Sequence, residues 1–331
     1  MTKKQAIFPI AKVIFALAVV AWLIHKIDLA RVWSNVRNAH PLPFVLGITL
    51  SLSTVLIAGW RWKRLLEIFA INIPLKSLVC VVPIGAFFAI FLPGSTGDDL
   101  TRMLYISRLA PGRVGEACTS VVLDRCIGLT AILLLALFCV PWQWSVLSTS
   151  GQTRWIALII LSVGACVCLG WALFFVAGHA THRWYAKRLQ ARPAHTLRDE
   201  AARIWGLLCD NKIVVAKLLS AALIAQLIQS VSFYLAGVAV GIHESLAIWL
   251  TFLPIVLAAN ALPITIAGLG VREYLLILFL GVIAGVDSEQ AFAASFVMFS
   301  MILTISLLGG LLYIIYRPKS APGRPDKVAT A

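Results

Sequence analysis

Charge is what this sequence has least of. Only 13% of its 331 residues are Asp, Glu, Lys or Arg, and no polar stretch is long enough to make a soluble domain. The longest, 179–212, is shorter than the about forty residues below which a chain rarely folds alone without disulfides or metals. Acidic residues are scarcer still, with 14 Asp and Glu against 28 Lys and Arg and a formal net charge of +14. That excess does not point to nucleic acid, because the basic residues stand in short segments beside apolar runs and form no single soluble face. The seven cysteines (Cys80, Cys118, Cys126, Cys139, Cys166, Cys168, Cys209) fall mostly inside apolar segments, with no spacing that suits a disulfide framework or a metal site. A nucleophile elbow and a phosphate loop are also missing, and "HATH" at His179–His182 is the nearest approach to paired metal ligands. No catalytic residue, metal or cofactor is expected, and a membrane enzyme ranks behind the non-enzymatic readings.

What the chain has in abundance is apolar sequence. Sixty per cent of it is hydrophobic, and runs of the about twenty residues needed to cross a bilayer core recur along its length. The expected fold is an all-α polytopic membrane protein with six full spans near 7–25, 43–60, 118–140, 155–178, 213–240 and 291–316. The first run follows Lys3 and Lys4 and contains "ALA" at 16–18, like a signal peptide. It continues beyond that triplet, so an uncleaved helix is expected. One transmembrane domain is expected over 1–316, with halves at about 1–140 and 155–316, followed by a disordered basic tail at 317–331.

Two regions, 77–110 and 245–285, are apolar but interrupted. Short cytoplasmic loops carry excess Lys and Arg, which places 61–76 (Arg61, Lys63, Arg64, Lys76), the loop 179–212 and the tail inside, with 141–154 outside. Both termini are then cytoplasmic, although Lys26, Arg31 and Arg37 fall on the outer side against the rule. By parity, 77–110 starts and ends inside, and its pieces suit a re-entrant hairpin, which is allowed where backbone is buried in protein or lines a cavity. Region 245–285 starts and ends outside, as a second hairpin or as two short spans.

The interruptions match. In "LPGSTGDDLTR", Pro93 precedes Gly94, Ser95, Gly97, Asp98, Asp99 and Arg102; in "ANALPITIAGLGVRE", Asn260 and Pro263 precede Gly268, Gly270, Arg272 and Glu273. In both, the arginine follows the proline by nine positions (93 to 102, 263 to 272). Proline ends one helix and glycine permits unwound backbone before the next. Paired breaks of this kind in two halves point to an inverted repeat with a site near the bilayer midplane. Each second half-helix aims its positive end at the break with an arginine in its first turns, which suits an anion. Arg272 is the leading candidate, with Glu273 orienting or neutralising it. Arg102 is either a second anion ligand or a positive-inside residue, and Asp98 or Asp99 is either part of that site or an N-cap. Glu116 and Asp124, eight apart, lie near one helical face. With Arg125 they form either a substrate contact or a structural network closing the cytoplasmic side.

These two segments, together with "APGRVGEACTSVVLDRCIGL", resemble the lysylphosphatidylglycerol synthase transmembrane region family over about residues 8–316, most specifically in the "GLGVRE" segment. The resemblance implies a flippase-like region. With the sequence ending at Ala331, it implies a stand-alone member without the soluble aminoacyltransferase domain, in a bacterial cytoplasmic (inner) membrane. The Gly-Asp-Asp at 97–99 departs from the family by its acidity. The expected function is translocation of an anionic phospholipid or lipid-linked intermediate, with that lipid as the partner. The alternative is a non-catalytic accessory subunit for a lipid or glycan biosynthesis enzyme, with the basic, partly amphipathic 179–212 as its docking surface or as a leaflet-binding helix.

Overall fold

The computed structural model describes residues 29–90, 96–148, 150–189, 197–261 and 270–316. Among them every regular element is helical, as bilayer spans require when no water is present to take up backbone donors and acceptors. The order is α1 (Leu29–Arg37), α2 (Pro41–Ile68), α3 (Leu75–Ala89), α4 (Thr96–Leu109), α5 (Val114–Cys139), a 3-10 turn (Pro141–Gln143), α6 (Trp144–Leu147), α7 (Gly151–Leu189), α8 (Leu197–Asp210), α9 (Lys212–Ala239), α10 (Leu246–Ala261), α11 (Val271–Ala284) and α12 (Ser288–Ile315). Five are long and apolar enough to cross a membrane: α2, α5, the Gly151–Gly178 part of α7, α9 and α12. These match five of the six expected spans, and the chain is a polytopic membrane protein. The remaining expected span, 7–25, and the tail lie outside the described residues.

The two interrupted regions fold alike. Helices α3 and α4 have 15 and 14 residues, and α10 and α11 have 16 and 14. The first member of each pair carries an internal proline at the same place, Pro83 in α3 and Pro254 in α10, each ninth in its helix. Proline removes one backbone hydrogen bond and favours a bend there. Each pair is embedded in its own apolar cluster. Leu78, Ile84 and Ile106 pack with Trp62 and Leu66 of α2 and Val121 of α5; Phe252, Leu276 and Phe279 pack with Ala294 and Met298 of α12.

Close helix crossings hold these clusters together, since lipid tails offer no hydrophobic driving force between helices and backbone approach at small residues takes its place. A Cβ at Gly309 of α12 would collide with the Pro83 carbonyl oxygen of α3, and one at Gly237 of α9 with the Trp249 ring of α10. Gly309→Val should therefore lower stability by about 1–3 kcal/mol, the usual range for overpacking, measured as a shift in denaturant unfolding of the detergent-purified protein. Unchanged stability would mean that α3 and α12 yield without strain.

Two expectations need correction. Helix α2 does not stop near 60 but runs to Ile68, so Arg61 is a buried residue inside the protein and not a loop marker of topology. The stretch 179–212, for which a leaflet-binding helix is one expectation, is largely helical: α7 continues to Leu189 and α8 follows from Leu197. Neither Asp98 nor Asp99 is an N-cap, because α4 begins at Thr96 and both lie within its first turn. The cysteines are all free, and burial in α8 pushes the Cys209 thiol up, opposed by the nearby Lys212 charge.

Candidate functional site

Two clusters of arginine and carboxylate stand where the broken helices resume. In the first, the opening turn of α4 supplies Asp98 and Asp99, and Arg102 follows one turn later. Arg102 Nε donates to Asp98 Oδ1 at 2.7 Å, and its Nη1 donates to Asp124 Oδ2 at 3.3 Å. Asp124 is held mainly by Arg61, whose Nε and Nη2 donate to its two carboxylate oxygens at 2.6 and 3.0 Å. That two-point fork is a geometry only arginine provides. Arg125 pairs with Asp99 across the same space. The Arg102 guanidinium lies 5.6 Å from the Trp62 ring, and the Trp62 indole N–H is fixed by Ser120 Oγ at 3.0 Å.

These six charged groups line a cavity of about 220 Å³ that also reaches Gly128 and Gln226. Gln226 is midway along α9 and Asp124 is well inside α5, so the cavity lies deep between spans. Burial is graded: the Asp124 side chain is 3% exposed and Arg125 27%. Three arginines face three aspartates, so the cavity is lined by balanced charge. Such a network adds little net stability, because desolvation offsets the attraction. Ionisable groups at this depth are by default functional candidates.

The second cluster opens α11. Gly270 has φ +87°, a left-handed conformation that glycine takes without side-chain strain. Its N–H donates to Glu273 Oε2 at 2.5 Å, closing the first turn as a capping box. Glu273 Oε1 accepts from Arg272 Nη2 at 2.6 Å and from Ser295 Oγ at 2.9 Å, while Ser295 Oγ accepts from Arg272 Nε at 2.8 Å. Arg272 is 1% exposed, with its guanidinium 5.5 Å from the Phe299 ring. One donor remains: Arg272 Nη1 is buried and has no hydrogen-bond partner among the described residues, and the same holds for Asn260 Oδ1 at the end of α10. A buried donor left open in this way is costly unless something else fills it.

Of the residues singled out in the sequence, Arg102, Asp98, Asp99, Asp124 and Arg125 come together in the first cluster, and Arg272, Glu273 and Gly270 in the second. Gly97 lies where a Cβ would strike the Phe88 carbonyl, so it permits α4 to approach the end of α3. Pro93, Gly94, Ser95, Pro263 and Gly268 lie outside the described residues. Glu116 does not join Asp124. It pairs instead with Arg203 of α8 at 2.6 Å, because eight residues along a helix is about 12 Å of rise and a shared face is not a shared cavity. Arg61, Gln226 and Ser295 are cluster residues that sequence reasoning missed. Arg61 carried a signal, an arginine within one turn of an apolar run; Ser295, on another helix, carried none.

The sequence matches the family described as Lysylphosphatidylglycerol synthase TM region over residues 10–310. A segment of 140 residues is 26% identical to the UPF0104 membrane protein MJ1595 of Methanocaldococcus jannaschii, covering 42% of this chain and 40% of that protein. The similarity thus spans two fifths of that relative's length.

Proposed function

The chain belongs to the lysylphosphatidylglycerol synthase transmembrane region family, and on that premise we propose that it moves the head of an anionic phospholipid or lipid-linked intermediate between leaflets. The observation that carries this reading is the buried Arg272 at the start of a resumed helix, neutralised by Glu273 and with one donor that meets no partner among the described residues. A phosphate or carboxylate arriving at the break would take up that donor and compete with Glu273 for the fork. Glu273 would then recover the arginine as the head departs, so that the charge is never left alone in a low-dielectric setting. The first cluster works in the same sense: Asp124, Asp98 and Asp99 hold three arginines in place of a ligand. The Lys and Arg residues of 63–76, 179–212 and the tail support a placement with both termini inside, and the bacterial cytoplasmic membrane is part of the same proposal.

Binding is tested without any transport assay. Phosphatidylglycerol added to the purified protein should raise its melting temperature in a concentration-dependent way, with about 2.7 kcal/mol of stabilisation at a hundredfold excess over the dissociation constant, and phosphatidylcholine should raise it far less. Equal stabilisation by both lipids would exclude selection by an anionic head. An accessory subunit, the competing reading, would bind neither lipid selectively and would move lipid only with an enzyme partner present.

A further inference from the structure

A second cavity, of about 470 Å³ and partly open, lies on the opposite flank of α5 from the charged cluster, bordered by α5, α7, α8 and α9. Its volume falls in the about 300–1,000 Å³ range of ligand cavities, and its wall is almost wholly apolar, with Leu123, Ile127, Trp171, Phe174 and Ile204 prominent. Two polar side chains of the wall are already engaged: the Thr119 hydroxyl donates to the Gly115 carbonyl at 2.9 Å, and the Trp171 indole N–H donates to Thr130 Oγ1 at 3.2 Å. An ordered water needs two to four polar partners, which this wall does not supply, and its surface suits an apolar ligand.

The location names the ligand. Val167, Gly170, Trp171 and Phe174 line the cavity from the last part of the apolar Gly151–Gly178 stretch, flanked by the exposed Leu169, Leu173 and Val176, a surface for lipid. Gly170 leaves a gap in that wall, since a Cβ there would meet no atom within 4 Å. The far side is closed by α8. Trp205 packs edge-on against Phe174 at 5.0 Å between ring centroids, Ile204 and Leu208 face inward, and Arg203 is tied to Glu116 of α5 at 2.6 Å. Lys212, at the α8–α9 turn, donates to the Phe175 carbonyl at 2.7 Å and anchors the end of the lid to α7.

We propose that this cavity binds one acyl chain of a membrane lipid, entering past Gly170, with α8 as a lid latched by the Arg203–Glu116 pair. The site stands independently of lipid translocation: a protein that moved no lipid would still hold the chain.

The probe is phosphatidylcholine carrying a photoactivatable diazirine at the end of one chain, incorporated into vesicles with the full-length protein. The protein is then extracted into detergent without added lipid, irradiated, digested and mapped by mass spectrometry. Retained label should concentrate on peptides containing 167–174 and 201–208, exceeding that at the exposed Ile159 and Val163 of the same helix by about tenfold. Gly170→Phe, which fills the gap, should reduce the cavity label by a similar factor and leave Ile159 and Val163 unchanged. Label spread evenly along α7, or cavity label indifferent to Gly170→Phe in a monodisperse protein, would overturn the assignment. If Gly170→Phe does not fold, the wild-type distribution alone decides.

Discussion

Arg272→Ala should lower the stability of the purified protein by about 3–5 kcal/mol, and the paired replacement Arg272→Met with Glu273→Gln should recover most of that loss while still failing to move lipid. The single change removes the Nη2 donor to Glu273 and the Nε donor to Ser295 at once. It strands a buried carboxylate whose remaining partners are the Gly270 N–H and the Ser295 hydroxyl. The pair of changes removes both charges, keeps a side-chain oxygen that can accept from Gly270, and fills the volume with a flexible apolar chain. Denaturant unfolding measures the first half and vesicle reconstitution the second. If the paired variant is both stable and fully active, the two charges serve only to start α11, and the anion site does not lie there.

Asp124→Ala should be as damaging to stability, again about 3–5 kcal/mol, because it leaves Arg61, which has only 8% of its surface exposed, without the carboxylate that takes its fork, and deprives Arg102 of one of its two acidic partners. Asp124→Asn should be milder, since an amide oxygen still accepts one bond. Replacing Arg61 and Asp124 together by leucine should restore stability, with Arg102 still paired to Asp98. Exchange of a buried ion pair for apolar residues of similar size is often neutral or stabilising. Lipid movement should be lost in all three variants. Full activity in the leucine pair would reduce the network to a staple between α2 and α5.

The spans were legible because a bilayer sets a length that few other structures require, and the two breaks were legible because proline and glycine act locally. The same local logic should have drawn attention to Pro83 and Pro254, whose matching positions in α3 and α10 repeat the symmetry of the breaks. Arg61 was misread because an arginine beside Lys63 and Arg64 follows the grammar of a cytoplasmic loop. Its helix continues to Ile68, and only the packing of α5 against α2 places Asp124 opposite it. Ser295 was invisible, since a serine in an apolar helix declares nothing until α12 is laid against α11. The polarity after His179 marks the end of the apolar part of α7 but not the end of the helix, and α8 packs Leu208 and Cys209 against Phe174 of α7 and Val215 of α9.

The most direct test is movement of chain-labelled fluorescent phosphatidylglycerol in vesicles reconstituted with the protein, read as the fraction of fluorescence that an impermeant reductant can reach. Wild-type vesicles should expose the inner-leaflet label far faster than protein-free vesicles. Arg272→Lys, which keeps the charge beside Glu273 but cannot bond Ser295, Glu273 and a ligand with one planar fork, should slow this about ten- to hundredfold, the equivalent of one charge-assisted hydrogen bond. Wild-type vesicles no faster than empty ones, or a folded Arg272→Lys protein as fast as wild type, would contradict translocation of an anionic head at Arg272.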